Sequence, residues 1–345
     1  MISPQTRTLD WVTHIRDLYP KRDPILIEKM IMALSLVESL EMSGLDFIFK
    51  GGTSIVLLLS EPYRFSIDID ILIPEEINLE PYFDFILRQG IFNRIEENKR
   101  VSNLPKKHFK FYYRSFVQDR EDYILLDILF SESHYPNLSP INIETPLLDI
   151  QGQATHVLCP TIECLLGDKL TAFAPNTTGI PYGKDKELEI AKQLFDVELL
   201  FDHADDLATI SQTFHQIADQ EIKYRGLNIS TRDVLLDIFN TSVLIGTHGA
   251  GSPANFTEIN TGIRKMAGYV YRGNFTIDRA IVSAAKTAYL ATLILREKIS
   301  LDRFSLDLDL SDWVIDHPDF SKLNRLKKTS PEAFYYFYHA IKWIG

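Results

Sequence analysis

The stretch Ser66-Ile67-Asp68-Ile69-Asp70-Ile71-Leu72 alternates polar and apolar residues with a period of two. That is the period of an extended strand, and β-branched isoleucine at every second position favours the same conformation. Read as a strand from Ile67 to Ile73 and closed by Pro74, it sends Ile67, Ile69 and Ile71 to a core. Ser66, Asp68 and Asp70 then share the opposite face. Like charges on one strand face repel unless protons, cations or solvent intervene. Such a strand must therefore bury one face and leave the other open, and two incidental aspartates on a solvated edge strand satisfy that as well as a metal site does.

Two further features select between those readings. Upstream, Gly51-Gly52-Thr53-Ser54 stands between an apolar strand, Leu45–Phe49, and a helix read from Thr53 to Leu59. Glycines at a strand-to-helix turn let backbone approach a phosphate, and a helix N-terminus favours an anion. Downstream, Asp127 interrupts the apolar run Tyr123–Phe130. Aspartate is depleted in strands and seldom buried without a partner, so a neighbouring strand that sets Asp127 beside Asp68 and Asp70 makes a three-carboxylate site. Hard cations such as Mg²⁺ take carboxylate oxygens, and a pair of them can hold the phosphates of an NTP while activating a hydroxyl.

Around these segments the chain reads as α/β to about residue 155. Asp23-Pro24 is a helix start, an N-cap followed by proline at the first helical position, with apolar spacing through Ile27, Met30, Ile31, Leu34 and Val37 and Gly44 as the C-cap. A helix is expected at Tyr82–Arg88 and strands at His108–Arg114 and Tyr123–Phe130. After Pro146 the pattern turns helical: a helix from the Thr161 cap to about Phe173, a loop at 175–186, a helix over Lys186–Phe201, and mostly helical period to the end, including Ile281–Lys298. The expected architecture is α+β, with a mixed-sheet domain over 1–155 and a mainly helical domain over 156–345.

The segments Lys50–Pro74, read as K-G-G-T-S and then R-x-S-x-D-x-D, resemble motif I of the AbiEii-type nucleotidyltransferase toxins, within the DNA polymerase β-like superfamily. The resemblance implies that Gly51, Gly52, Thr53, Ser54 and Ser66 bind the nucleotide and that Asp68 and Asp70 hold Mg²⁺, with Arg64 also matching. Asp127 matches the superfamily's third acid by strand position. The helix Glu163–Ala172 is similar to the family's lysine-bearing helix, which implies that Lys169 contacts the triphosphate. Lys192-Gln193-Leu194-Phe195-Asp196-Val197 is similar to R-D-x-x-D-[L/V]. There Asp196 fits the last aspartate and Gln193 replaces the first. An i,i+4 ion pair with Lys192 is the plain alternative for Asp196, and shaping of the strand is the plain alternative for Ser66. The match runs from Phe47 to Phe201.

The expected function is a Mg²⁺-dependent nucleotidyltransferase that moves a nucleotide from an NTP to an acceptor, as the toxin of a toxin–antitoxin or abortive-infection pair with a cognate antitoxin protein as partner. A phosphotransferase using the same site, and a non-catalytic nucleotide-binding relative, are the competing readings. A net charge of −11 speaks against extensive contact with duplex DNA. The acceptor is therefore expected to be an RNA 3′ end, tRNA above all, guided by Lys106, Lys107 and Lys110. A second basic stretch, Lys322–Lys328, reads as a solvated face; His248–Ser252 reads as a connector and Phe334–Tyr338 as core. No apolar run is long enough for a membrane span, the start lacks a secretory pattern, and Cys159 and Cys164 read as buried thiols of a cytoplasmic protein.

Overall fold

The computed structural model describes residues 1–59, 61–99 and 105–344. Two compact units form, one from Met1–Thr161 with Gly268–Gly273, the other from Ile162–Ala267 with Asn274 onward.

In the first unit the helices are α1 (Leu9–Leu18), α2 (Pro24–Met42), α3 (Gly51–Leu58) and α4 (Glu80–Arg88). The strands are β1 (Ile48–Lys50), β2 (Ile69–Ile73), β3 (Arg94–Glu97), β4 (Lys106–Arg114), β5 (Glu121–Phe130), β6 (Leu138–Asn142) and β7 (His156–Pro160). Five strands make one sheet in the order β1-β2-β5-β4-β3, and β6 pairs with β7 in a separate ribbon. Within the sheet β2 and β5 run parallel and the other neighbours antiparallel. This is the mixed sheet expected of the α+β class.

Alternation along each strand decides which face is covered. Ile69, Ile71 and Ile73 of β2, Ile124, Leu126 and Ile128 of β5, and Phe109, Phe111 and Tyr113 of β4 are buried. Phe83 from α4 packs edge-on against Phe109 and Phe111 at ring-centroid distances of 4.9 and 5.2 Å. Each such side chain taken from water contributes on the order of 1.5–3 kcal/mol. Helix α2 is buried on nearly every side, from Ile27 to Leu40, which suits a central helix with no polar face. Its start is as read, the Asp23 carboxylate accepting from Ile25 N at 2.9 Å; its C-cap is Ser43, and Gly44, read as the cap, follows one residue on at φ +79° with nothing within 4 Å of where a Cβ would stand. Glu28 and Glu38 are the buried acids on it, and both have partners: Glu28 accepts from Phe116 N and Ser115 Oγ, each at 2.7 Å, and Glu38 from Ile2 N at 2.9 Å.

The strap Gly268–Gly273 returns from the far half of the chain to this unit. Phe65 N donates to the Tyr269 carbonyl at 2.7 Å, Tyr271 N to the Tyr63 carbonyl at 2.8 Å, and Arg64 bridges Val270. The Tyr271 ring lies 4.7 Å from that of Tyr19 and 5.2 Å from that of Phe65.

The second unit is built of α5 (Ile162–Ala172), α6 (Glu187–Phe201), α7 (Leu207–Arg225), α8 (Thr231–Gly246), α9 (Pro253–Lys265), α10 (Ile277–Leu295), the single turn α11 (Leu326–Thr329) and α12 (Pro331–Ile344). Among its described residues there is no strand. Close helix crossings need glycine: a Cβ at Gly167 of α5 would sit 2.7 Å from the Ile210 carbonyl of α7, and one at Gly262 of α9 would overlap the Glu187 carbonyl of α6. His248–Ser252 links α8 to α9, and Phe334–Phe337 are buried in α12. No helix among the described residues is long and apolar enough to cross a membrane.

Candidate active site

Helix α3 begins at Gly51, directly after the last strand residues Phe49 and Lys50. Gly51 has φ +83°, and a Cβ there would overlap Asp70 Oδ2 and lie 3.0 Å from Asp70 Cβ and Cγ. A Cβ at Gly52 would overlap Arg64 Nη2 and come within 2.9 Å of Ser66 Oγ. The room left by the two missing side chains is thus filled by the chain's own Asp70 carboxylate and Arg64 guanidinium. The Asp70 carboxylate stands at the start of α3, the end where exposed N–H groups favour negative charge. Thr53 Oγ1 reaches Ser66 Oγ at 2.9 Å and the Asp68 carbonyl at 2.6 Å, and Ser54 Oγ donates to the Gly51 carbonyl at 2.9 Å. These bonds tie residues 66–68 to the first turn of α3.

The strand is shorter than the sequence reading. β2 starts at Ile69, so Ser66, Ile67 and Asp68 form an extended lead-in, with Ile67 half-buried against the core and Asp68 exposed. Thr53, by binding Ser66 and the Asp68 carbonyl, competes with the ladder there.

The sheet register sets a row of polar groups across four strands. Lys50 of β1 is opposite Asp70 of β2, Asp70 opposite Asp127 of β5, and Asp127 opposite His108 of β4. Directly opposed residues share a face, so all four look away from the covered side. His108 Nδ1 lies 2.6 Å from Asp127 Oδ1, with the two side chains 11% and 29% exposed. The sequence reading missed His108 as a site residue, because it sits inside a lysine-rich stretch. Its signal was the period of two, which groups it with Lys106 and Lys110 on the polar face of β4.

The same period corrects the reading of Lys107. It lies on the other face with Phe109 and Phe111, where its Nζ is 2.5 Å from Glu76 Oε1 and 5.5 Å from the centre of the Phe130 ring. A lysine turned to that side cannot serve the face that carries Asp70 and Asp127.

In the helical unit α5 and α6 bring Lys169 and Asp196 together at 3.0 Å, both nearly buried. Lys169 Nζ also donates to Gln193 Oε1 at 3.2 Å. Gln193, the departure from the family pattern, therefore keeps an acceptor for the lysine while giving up a charge. A buried pair of this kind costs about 3–5 kcal/mol when one partner is removed, because the other charge stays behind.

Among the described residues no three histidine, cysteine or carboxylate side chains are arranged to hold an ion. The donor chemistry still fits a hard divalent cation: Asp70 and Asp127 are in register on one face, Asp68 lies two residues ahead, and all their donor atoms are oxygen.

The mixed sheet thus sets two aspartates in register beside a Gly-Gly helix start. The family model described as nucleotidyl transferase AbiEii toxin, type IV toxin–antitoxin system, matches residues 35–255, and the chain belongs to that family. Among solved structures it is similar to JHP933 from Helicobacter pylori, with 14% identity, 78% of this chain and 93% of that one covered, and a TM-score of 0.46. It is also similar to an antigenic nucleotidyltransferase-like protein from Paracoccidioides brasiliensis, with 16% identity, 58% and 89% covered, and a TM-score of 0.38. No curated protein matches the chain.

Proposed function

We propose that this nucleotidyltransferase moves a nucleotide from an NTP to the 3′ end of an RNA, tRNA above all, with Mg²⁺ held by Asp68, Asp70 and Asp127. The observation that carries this reading is the register of Asp70 and Asp127 on one sheet face, with the Asp70 carboxylate against Gly51. Mg²⁺ bound to such oxygens neutralises phosphate charge and makes a hydroxyl easier to deprotonate. The chain's own part is to place the reactants. The first turn of α3, with Gly51, Gly52, Thr53, Ser54 and the neighbouring Ser66, is the nucleotide cradle. For Lys169 the family resemblance implies a triphosphate contact, and Asp196 and Gln193 hold its ammonium in place. In the reaction the acceptor oxygen bonds to the α-phosphorus as the bond to pyrophosphate breaks, and the hydroxyl proton leaves to solvent.

Lys106 and Lys110 share the face of Asp127 and supply positive charge for a short single strand, whereas a net charge of −11 leaves little for a long duplex. Membership of a type IV toxin–antitoxin family supports an antitoxin protein as partner.

The test is to incubate the protein with total RNA and NTPs labelled at the α- or the γ-phosphate. Label from the α-position should enter RNA, and Asp68→Ala or Asp70→Ala should abolish it without loss of fold. Label from the γ-position on protein would instead identify a phosphotransferase, and no label on any RNA with any NTP would refute the RNA acceptor. Lys106→Glu with Lys110→Glu should lower RNA labelling while nucleotide binding is kept, and Lys107→Glu, on the opposite face, should leave labelling near wild type.

A further inference from the structure

We propose that His108 is a positioning residue that fixes the Asp127 carboxylate for cation binding, an inference that rests on the metal-dependent reading given above. Asp127 is bracketed across the sheet, by Asp70 in the parallel register on one side and by His108 in the antiparallel register on the other. Two carboxylates so placed repel, and an unrestrained Asp127 carboxylate is free to rotate. The bond of 2.6 Å from His108 Nδ1 to Asp127 Oδ1, on the side away from Asp70, holds one oxygen toward β4 and so fixes that rotation. It lies at the short end for a hydrogen bond to a charged acceptor, where such bonds are about twice as strong as neutral ones. Asp127 Oδ2 makes no hydrogen bond among the described residues, so it is the oxygen left for a cation.

The residue type suits the task. A neutral imidazole with its proton on Nδ1 gives one directed donor, and the acceptor opposite selects that tautomer. A lysine at this position, like its neighbours Lys106 and Lys110, would bring a permanent positive charge and compete with the cation for the same carboxylate. Asparagine could place its amide nitrogen close to the position of Nδ1, whereas leucine fills similar space with no donor at all. Groups that hold a metal ligand from behind typically change metal affinity by about 10- to 100-fold when removed.

The experiment uses the full chain and Mn²⁺ alone as the probe, with bound and free ion separated by electron paramagnetic resonance. Asp68→Ala serves as the reference for loss of the site, and thermal melting is followed for every variant. Wild type should bind Mn²⁺, and Asp68→Ala should not. His108→Leu should raise the Mn²⁺ dissociation constant about tenfold or more. His108→Asn should recover most of that affinity, with melting close to wild type in both. Wild-type affinity in His108→Leu, or a loss that His108→Asn does not repair, overturns the role of His108 while leaving the metal site standing. Failure of wild type to bind Mn²⁺ any better than Asp68→Ala overturns both this inference and the metal reading beneath it.

Discussion

Replacing Gly51 by alanine separates two effects that are mixed at most glycines. Gly51 has φ +83°, and an alanine in that left-handed region costs roughly 1–2 kcal/mol. About 0.4–1 kcal/mol of that is offset by lower entropy of the unfolded chain. Gly44 supplies the control, since its φ is +79° and nothing lies within 4 Å of the Cβ it would acquire. Gly44→Ala should therefore lose about 1 kcal/mol, a fall in Tm of roughly 2–4 °C for a unit of this size, with activity kept. Gly51→Ala carries the same backbone strain and also drives its methyl into the Asp70 carboxylate, 3.0 Å from Asp70 Cγ before any relaxation. Since Asp70 must give way, and misplacement by about 1 Å can cost on the order of 10²-fold in rate, label transfer should fall about a hundredfold. Both variants are read by thermal melting and by transfer of α-label to total RNA. Equal activity in the two variants would show that the closeness of Gly51 to Asp70 has no part in catalysis.

Lys169→Ala should lose about 3–5 kcal/mol in urea denaturation, because the buried Asp196 carboxylate loses its 3.0 Å pair with Lys169, and Lys169→Met with Asp196→Leu should regain most of that stability without regaining activity. Burial pushes the Cys159 thiol up to about 12, so at pH 8 it should resist thiol reagents in the native protein and react at once in denaturant. Desolvation by burial lifts the Glu28 carboxyl above its ordinary value, so between the two values the folded state holds a proton that the unfolded state has released, and stability falls as pH rises through that window. Glu28→Gln removes this slope, so its stability relative to wild type should improve from pH 4.5 to pH 7; a change in the other direction, read from urea midpoints, would contradict the assignment.

What could be read from the sequence followed the strength of local signals. Helix α2 was legible because Asp23-Pro24 and Gly44 mark its ends and its apolar spacing is long. Strand β4 was legible because its Phe and Tyr alternate against Lys, and β5 because Tyr123–Phe130 is apolar throughout but for Asp127. β3 was not, being four residues with three charges, and β6 carries Pro140, which reads as a turn and is tolerated only where the ladder does not need its N–H. Asp70 and Asp127 stood out as carboxylates in apolar strands, yet their opposition depends on a parallel register between segments more than fifty residues apart. The partner of Asp127, His108, was hidden inside a lysine-rich stretch, and its pairing shows only in the antiparallel register of β4 and β5. Lys192 offered Asp196 an inexpensive partner one turn away, while the bond to Lys169 comes from another helix and has no local signal. Nothing local in Gly268–Gly273 marks it as a piece of the first unit.

That strap has a bearing on how the molecule is made. Ribosomes deliver the chain from its N-terminus at about 5–20 residues per second. Both aspartate strands have been synthesised by Thr161, but Val270 and Tyr271, which back Arg64 and Phe65, come after the intervening segment Ile162–Ala267. For roughly five to twenty seconds the nascent chain holds Asp68, Asp70 and Asp127 without the strap behind the Arg64 that fills the space beside Gly52. A chain cut short anywhere between Thr161 and Gly268 lacks that support, so completion of this unit waits on a segment that follows the whole of Ile162–Ala267.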